Sequence, residues 1–495
     1  MQGWRKTMFE PKRLHPISAV INFVKGLKDA LFPLVALFFL NGGFSGEIEW
    51  IPLTVTSAIL LFILVGGIVR WLRFTYRMEE GELRIEYGLF IRKKRYIPIE
   101  RIQSLDFSEG IFHRPFQLVK VSVETAGSGN DGAEAELTAI HKQEAEELEE
   151  MIAQYKQDPS ISEGDEVTEQ ETAESVSTPL YEMRMKEIIL MAITSGGAGV
   201  VLSGVGVFFS QVMDALPLGA IYQEIVDWIQ IGVLIVAFTA ILVLAIAYVI
   251  SIVLTLFRYA NFRVMIQDDD LIITRGWLEK KQTTIPINRI QGLRIDENII
   301  RQPLGYASVT IISAGGAIMQ GDENQLRLLP FIKKAEISAV MQRILEDYTI
   351  DVEFSRPPRR ALPRYIVRQS WLFWIAVIPV SIYFFPLGLL SILVALGATA
   401  LGWLAYYDAG WNLTGKQLTL RSRSILKQTF IMKKHRIQSA YKKQTILQKR
   451  IELSHIQVAL KSGAGGQFAE CNYLREDTVD QLMDWYQPDP KKVTE

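Results

Sequence analysis

The feature that most constrains this chain is a recurring association: three times, a pair of long apolar stretches runs into a copy of one β-rich motif. The motif is clearest in "IPIERIQSL" from Ile97, "IPINRIQGL" from Ile285 and the diverged "MKKHRIQSA" from Met432. A single core does not generate such self-similarity, so one architectural unit is repeated. The apolar stretches say what that unit contains. Residues 51–71 carry no charge before Arg70, whereas 30–40 reaches spanning length only with 23–29, which holds Lys25, Lys28 and Asp29. The second pair is 188–212 and 229–257, and the third, 371–385 and 387–406, is joined at Pro386. A secretory signal peptide is the rival reading of the first stretch, but no small-residue cleavage pattern follows and "GEIEW" from Gly46 leads straight into the next one. The sequence thus predicts an α + β membrane protein with six transmembrane helices in three hairpins, each followed by an antiparallel β domain.

Composition agrees. Of 495 residues, 49% are hydrophobic, and the mean hydropathy of +0.16 is high for a soluble protein. A formal net charge of -1 leaves no basic footprint for nucleic acid. One cysteine, Cys471, excludes an internal disulfide framework, and it is expected at the surface without a role. His15, His113, His141, His435 and His455 show no metal-binding spacing. Phosphate loops, nucleophile elbows and dinucleotide fingerprints are missing from the sequence. Neither a cofactor nor a metal nor catalysis is therefore expected.

Orientation follows from Lys and Arg. The connectors 41–50 and 211–227 contain neither, while the opposite flanks carry Lys12, Arg13, Arg73, Arg77, Arg184, Lys186, Arg258, Arg263 and Arg368. The positive-inside rule places the amino terminus and all three repeats in the cytoplasm.

Aligned on the triplet Arg-Ile-Gln, the copies stay in register. Leu83, Leu271 and Leu418 each stand 18 residues before Arg101, Arg289 and Arg436, with Ile85, Ile273 and Leu420 two residues on, an alternation that predicts half-buried strands. A turn follows at Gly88 and Gly276, where the third copy has Arg423. Pro98 and Pro286 fix extended backbone before the triplet, and the third copy has Lys433 there. Downstream, "VKVSVETAGSG" from Val119, "ASVTIISAGG" from Ala307 and "IQVALKSGAGG" from Ile456 end in glycine-containing turns. Each copy closes with a stretch of helical spacing: "EAEELEEMIAQY" from Glu144, "AEISAVMQRILEDY" from Ala335 and "DTVDQLMDWY" from Asp477. Such modules are small but within range for independent domains.

These motifs, with "RLHP" from Arg13, resemble the bacterial pleckstrin-homology-like (PH-like) domain of multipass membrane proteins, and the resemblance covers nearly the whole chain. It implies two packed antiparallel sheets capped by a helix, and no established catalytic activity. It also implies a smaller PH-like membrane protein as partner and a role in envelope defence, for example against antimicrobial peptides. The resulting division is hairpin 19–71, module 72–155, acidic flexible linker 156–183, hairpin 184–257, module 258–350, basic proline-containing linker 351–368, hairpin 369–406 and module 407–488.

The triplet Arg101, Ile102, Gln103, with Arg289, Ile290, Gln291 and Arg436, Ile437, Gln438, has two readings. In the plainer one the isoleucines face the core and the polar pair ties a turn to its neighbours. In the other the arginines bind phosphate head groups or an acidic partner. Better contacts for anionic lipid are Arg92, Lys93, Lys94 and Arg95, Lys280 and Lys281, and Arg359, Arg360 and Arg364, in "IRKKRY", "EKK" and "RPPRRALPR". Their alternative is a solvated strand face that also signals topology. Ser195, Gly199 and Ser203, like Ser391, Ala395 and Thr399, recur every four residues, a spacing for close helix packing within the chain or in a homo-oligomer. The expectation for the whole is an assembly platform on the lipid bilayer, with a transport or export component as the alternative.

Overall fold

Alternating apolar residues predict which strand faces turn inward, and in the computed structural model Leu83, Ile85, Leu271, Ile273, Leu418 and Leu420 are each at most 4% exposed. The structure describes residues 10–40, 50–88, 91–125, 133–157, 178–195, 233–267, 269–313, 326–385, 387–462 and 466–487. Helices α1 (Ile17–Leu40) and α2 (Trp50–Leu72) precede the first module. Its first sheet runs β1 (Lys12–Arg13), β2 (Thr75–Glu79), β3 (Glu82–Tyr87), β4 (Lys93–Pro98). Strands β5 (Ile102–Glu109), β6 (Leu118–Thr125) and β7 (Ala135–His141) form the second layer, and helix α3 (Lys142–Gln157) closes it with Ala145, Leu148 and Ile152 buried.

The second module repeats the plan. Strand β8 (Thr178–Glu182) is followed by α4 (Met185–Thr194) and α5 (Val233–Tyr259), then β9 (Arg263–Gln267), β10 (Asp270–Arg275) and β11 (Lys280–Pro286). Its second layer is β12 (Ile290–Glu297), β13 (Tyr306–Ser313) and β14 (Leu326–Lys333), closed by α6 (Lys334–Gln342). In the third, α7 (Leu362–Tyr383) and α8 (Ser391–Asp408) lead into β15 (Gly410–Thr414), β16 (Gln417–Arg423) and β17 (Lys427–Lys433). Strands β18 (Ile437–Lys443), β19 (Leu453–Leu460) and β20 (Gln467–Arg475) follow, with a short α9 (Ile446–Lys449) between the first two, and α10 (Glu476–Tyr486) closes the module.

The segment before each helix pair hydrogen-bonds to the strand after it. Lys12 lies opposite Tyr76 and Thr178 opposite Ile266, while Ser355 and Trp411 exchange main-chain bonds of 2.9 and 3.0 Å. The chain therefore enters and leaves each pair at one place. The end of the acidic linker is part of this device, since β8 already begins at Thr178.

The repeated triplet forms the corner between layers. Short 3₁₀ turns at Ile99–Arg101, Ile287–Arg289 and Lys434–Arg436 each end with the next isoleucine donating its N–H back to the turn's first carbonyl. Ile102, Ile290 and Ile437 are buried, at 1, 2 and 8% exposure. Pairing with the neighbouring strand then slips at the glutamine position in all three copies. A slip of this kind adds a residue to one strand and bends it, which redirects the chain from the first layer to the second. The turn before it needs glycine where the sequence places one: Gly276 has φ +101°, and a Cβ there would lie 2.0 Å from the Glu279 carbonyl oxygen.

The modules are not separate bodies. Strand β5 pairs with β11, so the second layer of the first module and the first layer of the second are one seven-stranded sheet, β7-β6-β5-β11-β10-β9-β8. Strand β12 pairs with β17 in the same way, giving the six-stranded sheet β14-β13-β12-β17-β16-β15. The cores interlock across the second junction: Ile431 packs among second-module residues and Ile312 among third-module residues.

Among the described residues, four helical stretches are long and apolar enough to cross a bilayer: Thr54–Leu72, Ile241–Tyr259, Arg359–Tyr383 and Gly388–Asp408. The charged half of α1 lies against β7 instead, with Ser18 Oγ 2.7 Å from Thr138 Oγ1 and Lys25 3.9 Å from Glu136. The sequence predicts a span over 188–212, but its described part differs. Helix α4 ends at Thr194 with Ile188, Met191 and Ala192 buried against the second module. Arg301 Nε donates to Thr194 Oγ1 at 3.0 Å and Nη2 to the Met191 carbonyl at 3.3 Å, closing the helix end with protein groups.

Candidate functional site

The two junctions between modules have one design. With the copies superposed on their triplets, the strand pairs at both junctions match: Lys280 faces Glu109 in the first, Lys427 faces Glu297 in the second. A basic strand from the first layer of one module thus meets an acidic strand from the second layer of the module before it. At the second junction Lys427 Nζ is 3.0 Å from Glu297, both side chains 6% exposed, and 3.6 Å from Asp408 at the end of α8. Arg423, where the other copies have glycine, donates to Asp408 at 2.5 Å. A membrane helix is thereby tied into the junction by buried charge. Gly292 sits in the contact because there is no room for more: a Cβ would lie 2.9 Å from the Ile431 carbonyl oxygen.

The first junction also holds buried carboxyls. Asp106 accepts a main-chain hydrogen bond from Thr284 across it, yet burial and the neighbouring Glu124 push its carboxyl well up. Its Oδ1 is buried without a hydrogen-bond partner. Burial likewise raises Glu124 to about 7, opposed by a 3.1 Å bond from Ser104 Oγ.

At the two ends of the series, among the described residues, the corresponding strands have no neighbour on their outer side. Strand β4 is the edge of the first sheet and β18 the edge of the last. Arg92, Lys93, Lys94, Arg95 and Tyr96 are all exposed, whereas Lys427 and Thr429 on the matching paired strand are 5 and 8% exposed. Glu86 on β3 pairs with Arg92 and lies 3.4 Å from Lys94, and Arg95 donates to the Glu134 carbonyl.

The residues named from sequence fall into distinct settings. Arg101 is exposed on its turn and Arg289 half-buried. Arg436 donates to the Asn288 carbonyl at 2.9 Å, so the corners of the second and third modules touch. Gln291 Nε2 donates to the Arg289 carbonyl at 3.0 Å, and the Gln438 carbonyl accepts from Tyr486 at 3.1 Å. Ile102, Ile290 and Ile437 are in the cores; the side chain of Gln103 lies outside the described residues. Lys280 and Lys281 are in the first junction. Arg360 binds Glu452 at 2.9 Å, and Arg364 lines a shallow depression with Pro363, Val367, Arg368, Trp371 and Tyr473. Arg359 begins the 3₁₀ turn before α7. The basic linker thus leads directly into structure, with Arg360 pinned to the third module.

Of the small residues, Ala395 is fully buried, Thr399 Oγ1 accepts from Trp374 on α7 at 3.1 Å, and Ser391 Oγ donates to the Gly388 carbonyl at 2.6 Å. Ser195 is extended beyond the end of α4, and Gly199 and Ser203 lie outside the described residues. Cys471 corrects an expectation: it is 0% exposed, in the core of the third module, where β20 pairs with β19. The junction residues Asp106, Glu109, Glu297, Asp408 and Lys427 are not singled out from sequence. The available signal was the acidic end shared by "LDFSE" from Leu105 and "LRIDE" from Leu293, each paired in fold with the basic strand of the next copy.

Comparison with known proteins places these features. The Bacterial PH domain family model matches residues 30–156, 216–348 and 371–489. The chain is 36% identical over 488 residues to the UPF0699 transmembrane protein YdbT of Bacillus subtilis (strain 168), covering 97% of this chain and 98% of that one. It is also 27% identical over 97 residues to the UPF0699 transmembrane protein YdbS of the same organism, covering 20% of this chain and 57% of that protein. The repeated corner, the two-layer modules and these matches together show that the chain is a membrane protein belonging to the bacterial PH domain family.

Proposed function

We propose that the chain is a non-enzymatic assembly platform of the bacterial cytoplasmic membrane, anchored by its apolar helices and with its three PH-like modules on the cytoplasmic face. Its partner in this reading is a smaller membrane protein with a PH-like domain. The observation that carries the proposal is the unbroken strand pairing from β7 to β8 and from β14 to β15. Strands do not hydrogen-bond through a bilayer, so modules joined in this way share a compartment, and the Lys and Arg distribution favours the inside. A rigid β body standing on paired helices offers a large fixed surface. Tight packing of α7 on α8, where a Cβ on Gly402 would lie 2.7 Å from Ile366 Cα, supports anchoring rather than a conduit.

Labelling tests the arrangement. Glu146→Cys, Gln342→Cys and Gln481→Cys place one exposed thiol on the helix closing each module. In intact protoplasts a membrane-impermeant maleimide should label none of them, and after lysis all three. Labelling of any one in intact protoplasts overturns the shared cytoplasmic placement.

A further inference from the structure

We infer that the outer edge of β4 is a docking site for the acidic edge strand of a PH-like module carried by a separate protein. The inference rests on the platform reading and names the surface and chemistry by which a partner joins.

The two internal junctions are templates for this contact. In each, a first-layer strand of the β4 type receives the second-layer edge strand of another module, in the same register and with opposite charge. Strand β4 belongs to the first of the three modules, and among the described residues no strand pairs with its outer edge. It displays main-chain donors and acceptors along an open edge, which a strand satisfies and a bare charge does not. In the shared register, the residue facing Arg92 corresponds to Glu109 and Glu297, so the occupant carries a carboxylate there. Cations at Arg92, Lys93, Lys94 and Arg95 favour acid along the rest of the strand.

A second copy of this chain does not meet that requirement. Its strand equivalent to β5 and β12 that is an edge among the described residues is β18, and the shared register would set Gln444 against Arg92, Lys443 against Lys93 and Lys442 against Lys94. Where the internal junctions have Lys against Glu, Arg92 would face an uncharged glutamine, and at the next two positions lysine would face lysine. The mismatch has a use, because a head-to-tail contact between identical chains that does not close grows without limit. A basic row alone also suits lipid phosphate. The equivalent Lys280 and Lys427, however, lie opposite carboxylates of a neighbouring strand, which favours protein as the occupant.

The test uses the full-length chain in its native membrane, with a photoreactive benzophenone amino acid replacing Tyr96 on β4, and in parallel Tyr441 or Ile446 at the far end. Tyr96 is 50% exposed, Tyr441 49% and Ile446 80%, so each site is open to reagent. Cross-linked peptides are sequenced by mass spectrometry. The expected product at Tyr96 is a second-layer strand of another protein's PH-like module, acidic at the position equivalent to Glu109. Its yield should fall on the order of tenfold or more in Arg92→Glu/Lys93→Glu, since like charges oppose the contact, while the melting temperature is unchanged. Cross-links from Tyr96 only to lipid, to β18 of a second copy, or to nothing overturn the proposal, as does a cross-link that survives the charge reversal. If a PH-like partner is captured at Tyr441 or Ile446 but not at Tyr96, the edge assignment falls and the platform stands. If none is captured at any of the three, both fall.

Discussion

Glu124 and Asp106 stand on neighbouring strands beside the first junction, where burial opposes their ionised forms. For Glu124 the folded chain keeps its proton up to about 7, while the unfolded chain releases it near 4.5. Between those values the folded state binds more protons, so stability falls as pH rises through this window and levels off above it. Glu124→Gln should flatten that slope and raise the melting temperature at about pH 8 relative to wild type, leaving a weaker slope from Asp106. Equal pH profiles for the two proteins in thermal unfolding would refute the assignment. The same physics makes Cys471 inert. Its thiol, pushed up to about 12 by burial, offers almost no thiolate at neutral pH. An aromatic disulfide reagent should react with it only at the rate of unfolding, so wild type gives a silent background for cysteine labelling.

Strands and corners were more legible than what joins them. Leu83, Leu271 and Leu418 announced the first-layer strands through alternation, and the repeated triplet marked a turn, because local backbone chemistry writes itself into consecutive residues. What Gln103, Gln291 and Gln438 do as slip positions depends on the neighbouring strand, which no local pattern names. The junctions are less visible still: Glu297 is 130 residues from Lys427 in sequence, and each reads alone as an ordinary surface charge. Their energetics belong to the pair of strands. Removing one partner leaves the other buried and uncompensated, so Glu297→Ala should destabilise the protein by roughly 3–5 kcal/mol. Glu297→Met with Lys427→Met replaces the pair by apolar groups and should lie closer to wild type than either single change. Denaturant unfolding of the detergent-solubilised variants measures this, and additive losses in the double variant would show that the ion pair carries no coupling.

At the scale of the whole molecule, three domains of independent size could be read from the repeats, yet the fold joins them through two shared sheets. The reason is that an edge strand is satisfied equally well by its own sheet or by a neighbour's, and sequence spacing does not distinguish the two. The distinction is measurable as hydrogen exchange. If the modules were tethered but separate, β4, β11 and β17 would all be edges, and each would leave alternate amides open to water. In the joined arrangement β17 is an interior strand from Lys427 to Met432, and β11 is paired from Lys280 to Gln282. Amide exchange in the intact membrane protein should therefore be slow in β17 and in the paired part of β11, approaching the protection of β16 and β10. It should be fast along β4 and β18, whose outer amides have no strand neighbour among the described residues. Exchange in β17 as rapid as in β4 would mean that the shared sheets open in solution and that the three modules move as separate bodies. Slow exchange appearing in β4 once the acidic strand of a partner is added would mark the same junction forming a third time, between chains.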